Sequence, residues 1–98
     1  MDLLSDDEIT AALAGLPSWT RTGNSISRTV ELADFRAAML FTGAVAYMAE
    51  KASHHPDILI QWNKVMLTLS THSAGGLTAA DMALARHLDA LHGGPPTH

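Results

Sequence analysis

The chain has 98 residues, of which 47% are hydrophobic, with no cysteine and a formal net charge of -4. A length of this order supports one core rather than two, and the lack of cysteine excludes disulfides and thiolate metal sites, so any metal would have to be held by His and carboxylates. The basic residues stand singly, at Arg21, Arg28, Arg36, Lys51, Lys64 and Arg86, and form no patch for nucleic acid.

The opening residues, MDLLSDDEIT, are acidic and lack the basic flank of a signal peptide, and no run reaches the roughly 18 apolar residues that span a bilayer. A soluble, cytoplasmic chain is therefore expected. Ser5 and Glu8 make a capping box, and Ile9, Ala12, Leu13 and Leu16 then line one helical face until Gly15 and Pro17 stop the helix. Trp19 to Thr22 is a short candidate strand, Gly23 and Asn24 a turn, and Ile26, Arg28, Val30 and Leu32 alternate with Ser27, Thr29 and Glu31, which predicts a hairpin. Asp34 can cap a second helix whose apolar face is expected to carry Phe35, Met39, Thr42, Ala46 and Ala49, with Leu40, Ala44 and Met48 on an adjoining stripe. That helix should end by Ser53 or His54, because His55 precedes Pro56 and is pushed out of helical geometry.

Ile58, Ile60 and Trp62 alternate, as do Val65, Leu67, Leu69 and Thr71, so a second hairpin with Asn63 and Lys64 at its tip is expected. In that register Trp62 faces Val65, Ile60 faces Leu67, Ile58 faces Leu69 and His55 faces His72. Opposed residues have Cβ atoms about 4.5 to 5.5 Å apart, so two distant imidazoles would share one surface. Thr78 and Asp81 form a second cap-like pair, with Ala80, Leu84, Leu88 and Leu91 along a third helix. The predicted architecture is α+β: one four-stranded antiparallel sheet with three helices on one face, in the order α-β-β-α-β-β-α. Residues 1–98 make a single domain in which GGPPTH, 93–98, is a flexible tail.

The chemistry concentrates in residues 50–72, which hold three of the six histidines. Glu50 lies four positions before His54, so a helix carried through that turn sets carboxylate beside imidazole and fixes the ring's tautomer. An unperturbed imidazole ionises near about pH 6.5, which suits His54, His55 and His72 to giving and taking protons. A metal shell built from these histidines with Glu50 or Asp57 is the rival, but adjacent histidines seldom converge on one ion and HExxH is absent. Ser53, Ser70 and Ser73 lack a nucleophile-elbow motif, and Gly75 and Gly76 read as turn formers. His87, His92 and His98 read as surface side chains, and Met39, Met48, Met66 and Met82 as core filling.

Residues 49–85, AEKASHHPDILIQWNKVMLTLSTHSAGGLTAADMALA, resemble the pterin-4a-carbinolamine dehydratases. The resemblance is carried by Glu50-Lys51, His54-His55-Pro56 followed by an acid, Asn63-Lys64-Val65, Leu69-Ser70-Thr71-His72, and Gly76-Leu77-Thr78 with Asp81. It implies dehydration of 4a-hydroxy-tetrahydropterin to quinonoid dihydropterin, without metal or organic cofactor, by a homodimer or homotetramer. It also implies that His54, His55, His72 and Glu50 are the catalytic set, with Asp57, Ser70 and Thr71 holding the flat pterin. Members of the family also resemble non-enzymatic partners, namely dimerisation cofactors of transcription factors and assembly factors for ribulose bisphosphate carboxylase. Ile58 stands where many members carry an aromatic residue, and Ser53 where many carry an acid.

Overall fold

The computed structural model describes residues 2–92. Its elements are α1 (Asp6–Ala14), β1 (Thr20–Thr22), β2 (Ser25–Glu31), α2 (Phe35–Ala52), β3 (Asp57–Gln61), β4 (Lys64–Leu69) and α3 (Ala79–Ala90), with one 3-10 turn at His72–Ala74. The predicted tail, 93–98, lies outside the described residues. The four strands form one antiparallel sheet in the order β1-β2-β4-β3, and the α-β-β-α-β-β-α sequence is the expected one.

Local chemistry sets the boundaries. The Ser5 hydroxyl accepts from the Glu8 amide while the Glu8 carboxylate accepts from the Ser5 amide, which satisfies two orphan donors at the start of α1. Asp34 accepts from the amide of Ala37 and starts α2. At the other end of α2, Ser53 adopts a left-handed backbone, its amide donates to the Glu50 carbonyl, and the His54 amide donates to the Ala49 carbonyl. Those two bonds make a Schellman motif, which turns the chain sharply and sends His54 and His55 off the helix toward β3.

The core lies between the sheet and the three helices. Ile26, Val30, Val65, Leu67 and Leu69 face Ile9 of α1, Ala38, Phe41 and Val45 of α2, and Met82, Leu84 and Leu88 of α3, all buried. Asp89, also buried, accepts from the Trp19 indole at 2.8 Å and pairs with Arg28, which ties α3 to the first hairpin.

Two sequence expectations are corrected. Helix α2 buries Ala38, Phe41, Val45 and Ala49, whereas Phe35, Met39, Leu40 and Tyr47 are exposed. The expected face carried Phe35, Met39 and Ala46, but the helix is apolar almost all round, and the sheet and α3 select the side that periodicity could not. The second hairpin turns at Trp62 and Asn63, so that Ile60 opposes Val65 and Ile58 opposes Leu67, two residues away from the expected register. The cause is Asn63: its amide nitrogen donates to the Leu32 carbonyl and its own carbonyl accepts from the Leu32 amide, which fixes the turn to the end of β2. The slip is even and keeps Val65, Leu67 and Leu69 inward, yet it leaves Trp62 exposed with φ 53°. Met82 is buried as expected of core filling, but Met39 and Met66 are exposed.

Candidate functional site

With the register moved by two, His55 no longer faces His72 across the hairpin. Strand β4 ends at Leu69, Thr71 forms a bridge with Gly76, and His72 opens the 3-10 turn between them. This tight loop and the Schellman turn after α2 nevertheless lie side by side. His54, His55 and His72 line one hollow of about 230 Å³, with Ser53, Ser70, Thr71 and Ser73 between them.

The carboxylates are shared out differently from expectation. Glu50 pairs with His55, its Oε2 lying 3.2 Å from Nε2, and the expected Glu50–His54 pair is absent because the chain leaves the helix before His54. His54 is instead held by Asp81, with Nε2 2.6 Å from Oδ1. Asp81 is fully buried at the start of α3. Its other oxygen accepts from the Thr71 hydroxyl at 2.8 Å and from the Thr78 amide at 2.9 Å. The Thr71 hydroxyl spends its proton on Asp81, so the 2.8 Å contact between the two threonine oxygens has Thr78 as donor. Every partner of this carboxylate is therefore a donor, and Nε2 of His54 carries hydrogen. Its Nδ1 is left as the acceptor of the neutral ring.

Sequence reasoning treated Thr78 and Asp81 as a helix cap only. The cap is real, and the same carboxylate also orients a histidine 27 positions away. The one visible signal was the Asp where a capping box ordinarily has Glu: a shorter acid stays close to the helix end and can serve both tasks.

The remaining candidates separate. Ser70 lines the hollow and is half-buried. Thr71 lines it too, but its amide donates to the Gly76 carbonyl and its hydroxyl to Asp81, so it has no free donor for a ligand. Asp57 opens β3 opposite Thr68, is exposed, and does not line the hollow. His87 and His92 are exposed, and the His92 ring meets Phe41 edge-on at 5.8 Å. Among the described residues no group of three or more His, Asp or Glu is arranged to hold a metal ion.

The α+β scaffold thus carries a hollow lined by three histidines, one of them braced from behind by a buried carboxylate, and imidazoles so placed are able to give and take protons. A family model described as pterin 4 alpha carbinolamine dehydratase matches residues 2–91, and the chain belongs to that family. A relative from Nocardia farcinica, named provisionally as a pterin-4-alpha-carbinolamine dehydratase, is 57% identical over 92% of this chain and 95% of its own length. One from Roseiflexus castenholzii with the same provisional name is 52% identical over 91% of this chain and 96% of its own. Among solved structures, a Brucella melitensis protein described as a transcriptional coactivator/pterin dehydratase superposes with a TM-score of 0.85 at 36% identity, covering 90% of this chain and 96% of that one. A pterin dehydratase-like protein identified as a RuBisCO assembly factor in the alpha-carboxysome superposes at 0.67 with 26% identity, over 80% and 93% of the two chains.

Proposed function

We propose that this chain catalyses dehydration of 4a-hydroxy-tetrahydropterin to quinonoid dihydropterin by histidine acid–base catalysis, the step that returns a spent pterin to tetrahydrobiopterin recycling. The observation that supports this most strongly is His54, locked by a buried carboxylate, sharing a hollow with His55 and His72. Loss of water from this carbinolamine takes a proton from ring nitrogen N5 and delivers one to the 4a-hydroxyl, so that the C4a–O bond breaks and a C4a=N5 bond forms. His54, with Nε2–H committed to Asp81, serves as the base through Nδ1. His72, exposed and free of any side-chain partner among the described residues, gives its proton to the departing hydroxyl, and after turnover His54 releases to water the proton it took while His72 regains one from water. His55, steadied by Glu50, positions the ring together with Ser70, while Thr71 supports His54 through Asp81.

Homo-oligomeric assembly and a cytoplasmic location belong to the same proposal; no helix among the described residues is long and apolar enough to cross a membrane. The test follows loss of chemically generated 4a-hydroxy-tetrahydropterin by absorbance. The wild type should outpace buffer, and His54→Ala and His72→Ala should each fall by about 10²- to 10⁴-fold. Equal rates for all three, no faster than buffer, would remove the enzyme reading.

A second reading is a non-enzymatic partner protein, as the descriptions of the two solved relatives suggest. It is favoured by the exposed Leu40 and Tyr47 on α2, which offer an apolar contact surface. Under it, His54→Ala would leave the cellular role unchanged while Leu40→Lys abolished it.

A further inference from the structure

A second hollow, of about 500 Å³, lies at the far end of β3 and is lined by Glu31, Gln61, Trp62, Asn63 and Lys64. The 5 residues of β3, at about 3.4 Å each, set it roughly 17 Å from the turn that carries His54 and His55. Its size falls within the roughly 300–1,000 Å³ usual for small-molecule sites, and it holds none of the residues assigned above to proton transfer.

Three features of this hollow go beyond what the fold requires. Trp62 is 69% exposed and held at φ 53° in the first position of a two-residue turn, where glycine is the usual choice. A ring kept in water on strained backbone adds nothing to the core, and strain of this kind collects at ligand clamps. Lys64 stands directly opposite Glu31 of β2 on one side and Gln61 of β3 on the other, yet Glu31 and Lys64 form no ion pair. Opposite charges facing one another across strands ordinarily attract, so carboxylate and ammonium are both left open to a ligand. Asn63, finally, is only 7% exposed; its Nδ2 is committed to Leu32, but its Oδ1 has no hydrogen-bond partner, which is rare for a buried acceptor.

The donors and acceptors select the ligand. Glu31 only accepts, Lys64 only donates, the Gln61 amide does both, and the indole offers a flat face for stacking. A planar fused ring meets all of these when one edge carries a carbonyl beside a ring N–H and an amino group. That amino-oxo-pyrimidine edge is shared by pterins and guanine; adenine instead sets an acceptor beside its amino group. We propose that the tip of the second hairpin is a further binding site for such a ring. Trp62 stacks on its face, Glu31 accepts from the ring N–H and the amino group, and Lys64 donates to the carbonyl. The site lies outside the histidine hollow and stands whether or not the chain is a dehydratase.

The chain carries its own probe. Trp19 is buried with its indole N–H on Asp89, whereas Trp62 is exposed, so their two indole signals in a proton–nitrogen correlation spectrum report separate places. Titration with guanosine and with pterin should shift the Trp62 signal and leave that of Trp19 in place. Adenosine should bind at least about tenfold more weakly, because the carboxylate then faces an acceptor. Pterin bound more tightly than guanosine assigns the site to pterins, and guanosine monophosphate bound more tightly than either assigns it to nucleotides. By calorimetry, Glu31→Gln should weaken guanosine binding about tenfold, the scale of a hydrogen bond to a charged group. Trp62→Gly relieves the left-handed strain, should fold at least as stably, and should also lose about tenfold, the scale of one base–aromatic stack. A Trp62 signal unmoved at millimolar guanosine and pterin overturns the proposal. So does adenosine or methyl glucoside bound as tightly as guanosine, or binding unchanged in Glu31→Gln. Turnover separates this site from the histidine hollow: Glu31→Gln should dehydrate at the wild-type rate, and a fall as deep as its loss of affinity would merge the two sites and overturn the second one. A protein that dehydrates nothing yet binds guanosine at Trp62 would remove the dehydratase reading and leave this site standing.

Discussion

His54 and His55 are adjacent in the chain, and each meets a carboxylate, yet the two pairs are physically different objects. In the His54–Asp81 pair the side chains are 15% and 0% exposed and the atoms 2.6 Å apart. In the His55–Glu50 pair they are 65% and 78% exposed and 3.2 Å apart. The difference comes from the element behind each carboxylate. Asp81 starts a helix and is clamped by Thr71 and Thr78, so it cannot turn away from His54. Glu50 sits on the open side of α2, free to exchange the imidazole for water. A charge-assisted bond excluded from water keeps most of its strength, whereas an exposed ion pair is worth about 0–1 kcal/mol. One pair fixes a ring, and the other only biases it.

That contrast is broken most severely at Asp81. Asp81→Asn keeps the volume but loses the charge and one acceptor, so His54 is no longer held in the tautomer that leaves Nδ1 free. By analogy with other groups that orient a functional histidine, turnover should fall about 10- to 100-fold, chiefly in kcat. The amide also leaves a buried donor facing donors, which should cost about 1–3 kcal/mol in urea unfolding. Unchanged kcat together with lowered stability would make Asp81 a helix cap and nothing more.

Thr71→Val sharpens the comparison one step further from the imidazole. It removes the hydroxyl that donates to Asp81 and accepts from Thr78, while preserving shape. Loss of one neutral donor to a carboxylate predicts about 1.5–3 kcal/mol of stability and a few-fold fall in kcat, with KM unchanged because Thr71 has no free donor for substrate. A rise in KM with kcat intact would return Thr71 to the role that the family resemblance implied, direct contact with the pterin.

The order of helices and strands was legible because it rests on local chemistry. Ser5 with Glu8, Asp34, and Thr78 with Asp81 mark helix starts, and strict alternation from Ile26 to Val30 marks a strand, wherever these stretches end up in space. The register of the second hairpin was not legible, because it is decided by Asn63 reaching Leu32, 31 residues away, and not by anything within the hairpin. The buried side of α2 was hidden for a related reason: when nearly every face is apolar, burial is assigned by what packs against the helix. At the site, the histidines stood out by their spacing, but their carboxylates were exchanged. Glu50 was matched to His54 by assuming a continuous helix, and the Schellman turn at Ser53 broke that assumption. Asp81 was read as a cap and not as a partner of His54 because a capping carboxylate and a histidine-orienting carboxylate look the same in sequence; only burial distinguishes them.

The smallest effect should come from Glu50→Gln, and its smallness is what tests the contrast. The glutamine retains a carbonyl that can accept from His55, and the charge it removes is three-quarters exposed and screened by water. Thermal unfolding should move by no more than about 0.5 kcal/mol, within the range of ordinary surface substitutions. If His55 merely positions substrate, KM should rise about two- to threefold with kcat unaltered, on the scale of a surface ion pair. A fall in kcat as deep as that of Asp81→Asn would mean that exposure in the isolated chain understates the environment of Glu50. The partner copy, or the bound pterin itself, would then have to exclude water from that face of the site.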